Sequence, residues 1–197
     1  EADAEHIEFW TLQEYEQFSA YIEKDDKYYV LFEILFYTGM RIGECLALSL
    51  NDISFEKKEI YISKTYYRHK KEDVLTTPKT KNSIRTICIP DFLMTEIKEY
   101  TDKLYAYPRD ARIFAVIPKA VENKMKRTME KAGVKRIRVH DLRHSHVSYL
   151  INQGVEPLLI KERLGHKDIK ITLNTYGHLY PSKQRAIADL LEQKKNT

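Results

Sequence analysis

Apolar positions repeat at helical spacing over most of the chain and alternate with polar ones only between about residues 60 and 89. Thr11 to Lys24 is predicted to be a helix: Thr11 and Glu14 form a capping-box pair, and Leu12, Tyr15, Phe18 and Ile22 share a face. Lys27 to Tyr37 is apolar nearly all round, as a buried helix is, and Thr38-Gly39 ends it. A short helix follows near Ile42 to Leu48. Ile60-Tyr61-Ile62, Val74-Leu75-Thr76-Thr77 and Ile84 to Ile89 are strand-like. They are expected to form a small antiparallel three-stranded sheet, with hairpins near 67–72 and 79–83. Helix is expected again from Pro90-Asp91 to about Tyr105, and Arg112 to Val116 reads as a fourth strand or as extended chain. Pro118 to Ala132 has proline in its first turn and Gly133 behind it. Three further helices stop at glycines: His140 to Gln153, Pro157 to Leu164 and Ile169 to Tyr176. A last one, Ser182 to about Lys194, starts behind Pro181. The fold class is α+β, mainly α: one helical domain over 1–197 with a small antiparallel sheet inserted.

Composition narrows the partner. Hydrophobic residues make up 43% of the 197, enough for a real core. Cys45 and Cys88 sit among apolar neighbours, as buried thiols do in a reducing compartment. The longest apolar stretch, Tyr28 to Met40, is broken by Glu33 and is too short to span a bilayer. No signal peptide is visible, so a cytoplasmic protein without a membrane partner is expected. The chain opens at Glu1, as a segment of something longer would. Residues 1–26 carry nine acids and one lysine, a local charge of −8 that leaves the remainder of this +4 chain at +12. Residues 64–85 hold seven Lys/Arg against two acids, and 119–143 hold nine against three. Two basic clusters suit an anionic partner, nucleic acid first, although a solvated basic face has the same composition.

Four segments carry candidate chemistry. In Thr38-Gly39-Met40-Arg41-Ile42-Gly43-Glu44, an arginine directly behind a buried helix needs an anion, and Glu44 could supply it as a local ion pair. Thr77-Pro78-Lys79-Thr80-Lys81-Asn82-Ser83 is a polar turn whose lysines are either solvated or able to reach a phosphate. In Val139-His140-Asp141-Leu142-Arg143-His144-Ser145-His146, His140 and Arg143 share a helix face and could present an imidazole and a guanidinium to one phosphate. His140 and His144 also have the spacing of paired zinc ligands, but no glutamate stands between them and the cysteines lack ligand spacing, so no metal is expected. His144 and His146 read as plain core or surface histidines. The fourth segment runs from Leu164-Gly165-His166 to Thr172-Leu173-Asn174-Thr175-Tyr176-Gly177-His178. Tyr176 is one of 14 tyrosines and, taken alone, a packing residue.

Taken in order, the four segments resemble the tyrosine recombinase (phage integrase) family, catalytic domain, from about residue 10 onward. The look is that of integrases from phages and conjugative transposons of Gram-positive bacteria. The resemblance implies a site-specific recombinase that cleaves and rejoins DNA through a 3′-phosphotyrosine, with no metal, ATP or other cofactor. It implies Tyr176 as nucleophile, Arg41 and Arg143 as the phosphate clamp, His140 assisting proton removal, His166 bonding the phosphate, Lys79 as the acid on the leaving oxygen, and Glu44 supporting the arginine. Lys81 competes with Lys79 for the acid's role, and Lys81, Arg85, Arg136 and Arg138 are further expected DNA contacts. It also implies double-stranded attachment-site DNA as partner, a homo-tetramer on DNA for the full-length protein, and an N-terminal clamp domain that this chain lacks. Without that clamp, the chain alone is expected to bind DNA weakly. A type IB topoisomerase would share the chemistry, and a DNA-binding module would lack it. The short tail after Tyr176 and the Leu-Gly-His triplet favour a recombinase over the former. The complete residue set disfavours the latter.

Overall fold

The computed structural model describes residues 8–78, 83–180 and Glu192. The expected helix 182–194, apart from Glu192, and the turn holding Lys79 and Lys81 lie outside the described residues. Helix α1 is Leu12–Ser19, started by the predicted Thr11–Glu14 capping box, and the chain beyond it turns rather than continuing to Lys24. Helix α2 (Lys27–Thr38) is buried from Val30 to Phe36 and packs against α3 (Ile42–Leu46), α4 (Asp91–Asp102) and α6 (Asp141–Asn152). Helix α5 (Pro118–Ala132), α7 (Pro157–Leu164) and α8 (Ile169–Tyr176) have the predicted bounds.

The sheets differ from expectation. Strands β1 (Ile53–Ser54), β2 (Glu59–Ile62) and β5 (Arg85–Cys88) form the antiparallel three-stranded sheet, in the order β1-β2-β5. The segment 74–77, expected in that sheet, belongs instead to a separate hairpin, β3 (Thr65–His69) with β4 (Glu72–Thr76). Lys70 and Lys71 turn that hairpin with positive φ angles of 48° and 69°. Pairing Tyr66 with Leu75 lets the Tyr66 ring go inward under the Arg112 guanidinium, 3.8 Å from its centroid. Arg112 to Val116 is extended, joined to Ser49 by an isolated bridge.

The main core gathers Trp10, Tyr15, Phe18, Phe32, Phe36 and Leu46 around α2. A smaller cluster, Val147, Ile151, Ile160, Leu164 and Tyr176, joins α6, α7 and α8. Two close approaches lock the segment between α2 and α3. Gly39 adopts φ +66°, and a Cβ there would sit 2.5 Å from the His146 ring. A Cβ on Gly43 would meet the Tyr66 carbonyl of β3 at 2.8 Å. Trp10 ties the start of the domain to α6, its backbone N–H donating to Ser145 Oγ at 2.9 Å.

Glu33 is buried in α2 and accepts a 2.7 Å hydrogen bond from the Tyr15 hydroxyl. Burial pushes its carboxyl from 4.5 up to about 7, the Tyr15 bond only partly opposing this. The folded chain therefore holds a proton that the unfolded chain releases at its lower pKa. This stabilisation is full below pH 4.5 and is lost as pH rises through 7, a swing of about 3 kcal/mol. Glu33→Gln, neutral at every pH, is expected to gain about 2–3 kcal/mol on wild type between pH 5 and pH 8. Urea melts of both proteins at the two pH values measure this; a constant difference would contradict the assignment.

Candidate active site

Arg41 caps α3 and Arg143 lies in α6, 102 positions away in sequence, and the fold brings them together. The buried Arg143 guanidinium donates to the carbonyls of Gly39 at 2.7 Å and Leu164 at 2.9 Å. The first of these lies two residues before Arg41. These bonds use two of the five N–H donors. Burial and the neighbouring Arg41 charge pull Arg143 down to about 9, so it remains charged at neutral pH.

Glu44 holds the arginine side of the site in register. Its carboxylate accepts from Arg41 Nη1 at 2.9 Å and from the Arg41 backbone N–H at 3.0 Å. It also takes both ends of the Arg85 fork, at 2.9 and 3.2 Å. Arg85, expected among the DNA contacts, is thus corrected to an interior position. Its side chain shares the inward face of β5 with Ile87, is bonded to Glu44, and donates to the Arg163 carbonyl at 2.8 Å. The local balance is three guanidiniums, Arg41, Arg85 and Arg143, against one carboxylate. Arg85 and Arg143 are buried and Arg41 opens to solvent, so the excess of positive charge is within reach of an entering anion.

Three imidazoles border it. His166 follows Gly165, whose φ of +68° ends α7, and pairs its Nδ1 with Thr172 Oγ1 at 2.9 Å. Burial and the charges of Arg143, Arg41 and Arg85 hold it down at about 4. His140, at the start of α6, is exposed on the rim and held below its ordinary value by partial burial and by Arg143. His144, one turn on, sits edge to face with His140, ring centroids 5.3 Å apart. Its Nδ1 is 2.6 Å from the Tyr176 hydroxyl. Tyr176 is 2% exposed, and burial raises its phenol to about 12 against the lowering effect of Arg143.

The structure therefore gathers Arg41, Glu44, His140, Arg143, His166 and Tyr176. It differs from the sequence reading at His144, set aside there as a plain histidine, which is the group in contact with Tyr176. Its signal was present, since positions 140, 143 and 144 fall on one helix face. His146 is a core residue, fully buried and accepting from Arg163 Nε at 3.0 Å. Thr172 was also missed as the partner of His166. Among the described residues, no group of three or more His, Cys, Asp or Glu could hold a metal ion.

Beside the site opens a groove of ≈ 1160 Å³ lined by His140, His144 and Thr175, by Lys119, Lys126 and Arg136, and by the acids Glu8, Glu122 and Asp141. Arg138 also lines it. Arg136 pairs with Glu130 at 2.9 Å and Arg138 with Asp141 at 2.8 Å; their side chains are 71% and 80% exposed.

Residues 8–183 match the family described as Phage integrase family. The chain belongs to that family. Its relatives include the ICEBs1 integrase of Bacillus subtilis, 38% identical across 94% of this chain and 54% of that protein. Another is a XerC-like tyrosine recombinase of Caldanaerobacter subterraneus, 33% identical across 82% of this chain and 48% of that protein. The chain thus spans about half the length of the curated relatives it matches. Its fold is that of the Tn1549 transposon integrase in complex with a circular intermediate DNA (TM-score 0.80, 23% identity, 98% of this chain and 67% of that one). It is also that of the catalytic domain of bacteriophage HP1 integrase (TM-score 0.62, 19% identity, 93% and 95%). Among the described residues, no helix is long and apolar enough to cross a membrane.

Proposed function

We propose that residues 1–197 are the catalytic domain of a site-specific DNA recombinase, and that Tyr176 attacks a DNA phosphodiester held between Arg41 and Arg143. One observation carries this reading: guanidiniums from two remote segments meet around the single carboxylate of Glu44, beside a buried phenol. A phosphate entering there neutralises that excess, and the two forks stabilise the charge that grows on its non-bridging oxygens during attack. His166 supplies a further hydrogen bond to the phosphate.

The Tyr176 oxygen forms a bond to phosphorus as the bond to the 5′ oxygen breaks, leaving a 3′-phosphotyrosine. The departing oxygen takes a proton, from Lys79 by the family resemblance, and leaves as a 5′-hydroxyl. A returning 5′-hydroxyl reverses each step, so rejoining consumes no ATP. Lowering the phenol from about 12 to neutral pH requires about 7 kcal/mol, to be met by a base and by the arginine charges.

DNA is proposed to approach along the groove that borders the site, with Lys119, Lys126, Arg136 and Arg138 available to its phosphates. The full-length protein is proposed to act as a homo-tetramer on attachment-site DNA in the bacterial cytoplasm.

The test is to incubate the chain at low salt with nicked duplexes of randomised sequence, denature, and map the peptide that retains DNA. An adduct on Tyr176 is expected, since a nick just downstream of the cleaved bond lets the short fragment that carries the new 5′-hydroxyl escape and traps the intermediate. No adduct, or one on another residue, would overturn the proposal.

A further inference from the structure

We infer that His144, rather than His140, is the residue that receives the Tyr176 proton during strand cleavage. The inference rests on the proposed function and assigns a group within that same site.

The geometry begins with α6. Positions 140, 143 and 144 fall on one face, so Arg143 and two imidazoles are presented together. His140, at the helix start, is exposed. His144 is half-buried one turn deeper, where α8 delivers Tyr176, and its Nδ1 lies 2.6 Å from the phenol oxygen. Among the described residues this is the one hydrogen-bond partner of that hydroxyl. His140 stands behind it, its ring edge-on to that of His144.

The direction of the bond follows from the charges. Burial, His140 and Arg143 hold His144 down at about 4, so at neutral pH it is an uncharged imidazole. Burial holds the phenol up at about 12, so it keeps its proton. The hydroxyl therefore donates and Nδ1 accepts, which places the imidazole's own proton on Nε2. Burial of both groups opposes proton transfer before attack begins, since each would become charged. A phosphate between Arg41 and Arg143 brings negative charge beside the imidazole and raises its basicity. As the oxygen–phosphorus bond forms, the proton moves from Tyr176 Oη to His144 Nδ1. The leaving 5′ oxygen takes a different proton from the general acid. Resealing returns both. The groups facing His144 are Arg138, His140, Asp141 and Arg143 on its own side, with Tyr176 and His166 opposite.

The test uses the whole chain and the nicked duplexes that wild type traps, in single-turnover adduct formation from pH 6 to 10. His144→Gln keeps a hydrogen-bonding side chain of similar reach, and His144→Ala removes it; melting curves confirm that each is folded. Both variants are expected to be slower by about 10²–10⁴ at pH 7 and to recover toward wild type as pH rises. Replacing the leaving 5′ oxygen by sulfur removes the need for a general acid, and the loss is expected to persist on that substrate. A His144→Gln rate within threefold of wild type would overturn the inference. So would a deficit equal at every pH, or one erased by the sulfur substrate. Wild-type adducts on Tyr176 alongside such results would leave the proposed function standing. No wild-type adduct at all would remove both.

Discussion

Tyr176→Phe is expected to lose covalent attachment to DNA by more than about 10⁴-fold while melting within a few degrees of wild type. The two halves of this expectation come from different parts of the same side chain. The ring packs with Val147, Ile151, Ile160 and Leu164, and phenylalanine keeps that packing. The hydroxyl lost has His144 as its partner, and His144 is only half-buried, so water can take its place. Deleting such a bond costs about 1 kcal/mol, which for a chain of this size moves Tm by roughly 2–4 °C. The chemistry has no such reserve, because a phenyl ring has no oxygen to bond to phosphorus. Denaturing gels of the nicked-duplex reaction measure the first effect and calorimetry the second. Adducts that persist, for instance on Tyr180, would show that another residue attacks.

Glu44→Ala is expected to cost about 3–5 kcal/mol of stability and to abolish activity. Glu44 is 3% exposed and serves as the counter-ion for both the Arg85 fork and Arg41. Burial alone would raise its pKa, but the Arg85 hydrogen bonds and charge outweigh burial and hold the carboxyl below its ordinary value. Its contribution is therefore present above the unfolded pKa and is lost as pH falls through the lower folded value, opposite in sign to that of Glu33. With alanine, Arg85 stays buried without an anion and repels Arg41 and Arg143. Arg41 also loses both the carboxylate on its guanidinium and the acceptor of its backbone N–H. Glu44→Gln, which keeps the shape and drops the charge, should fall between. Denaturant melts at pH 7 test the stability; a loss under 1 kcal/mol for Glu44→Ala would show that Arg85 finds another partner.

Much of this protein could be read from its letters because the deciding signals are local. Proline at the first turn and glycine just past the end bound α5 and α7, and the left-handed angles at Gly133 and Gly165 are the physical form of that punctuation. The all-round apolar run in α2 could only be interior, and the order of polar motifs identified the family. Strand pairing could not be read this way. Which strand neighbours which depends on contacts remote in sequence, so 74–76 pairs with 65–69 rather than joining the three-stranded sheet. Arg85 went astray for a related reason. Alternation along β5 puts it inward with Ile87, yet a charged residue can go inward only if an anion waits there, and Glu44 comes from 41 positions away. The sequence by itself determined most helices among the described residues, the family, and the polar residues of the site other than His144 and Thr172. Only the tertiary structure decided which of two histidines on one helix face meets the phenol, because that depends on where α8 crosses α6.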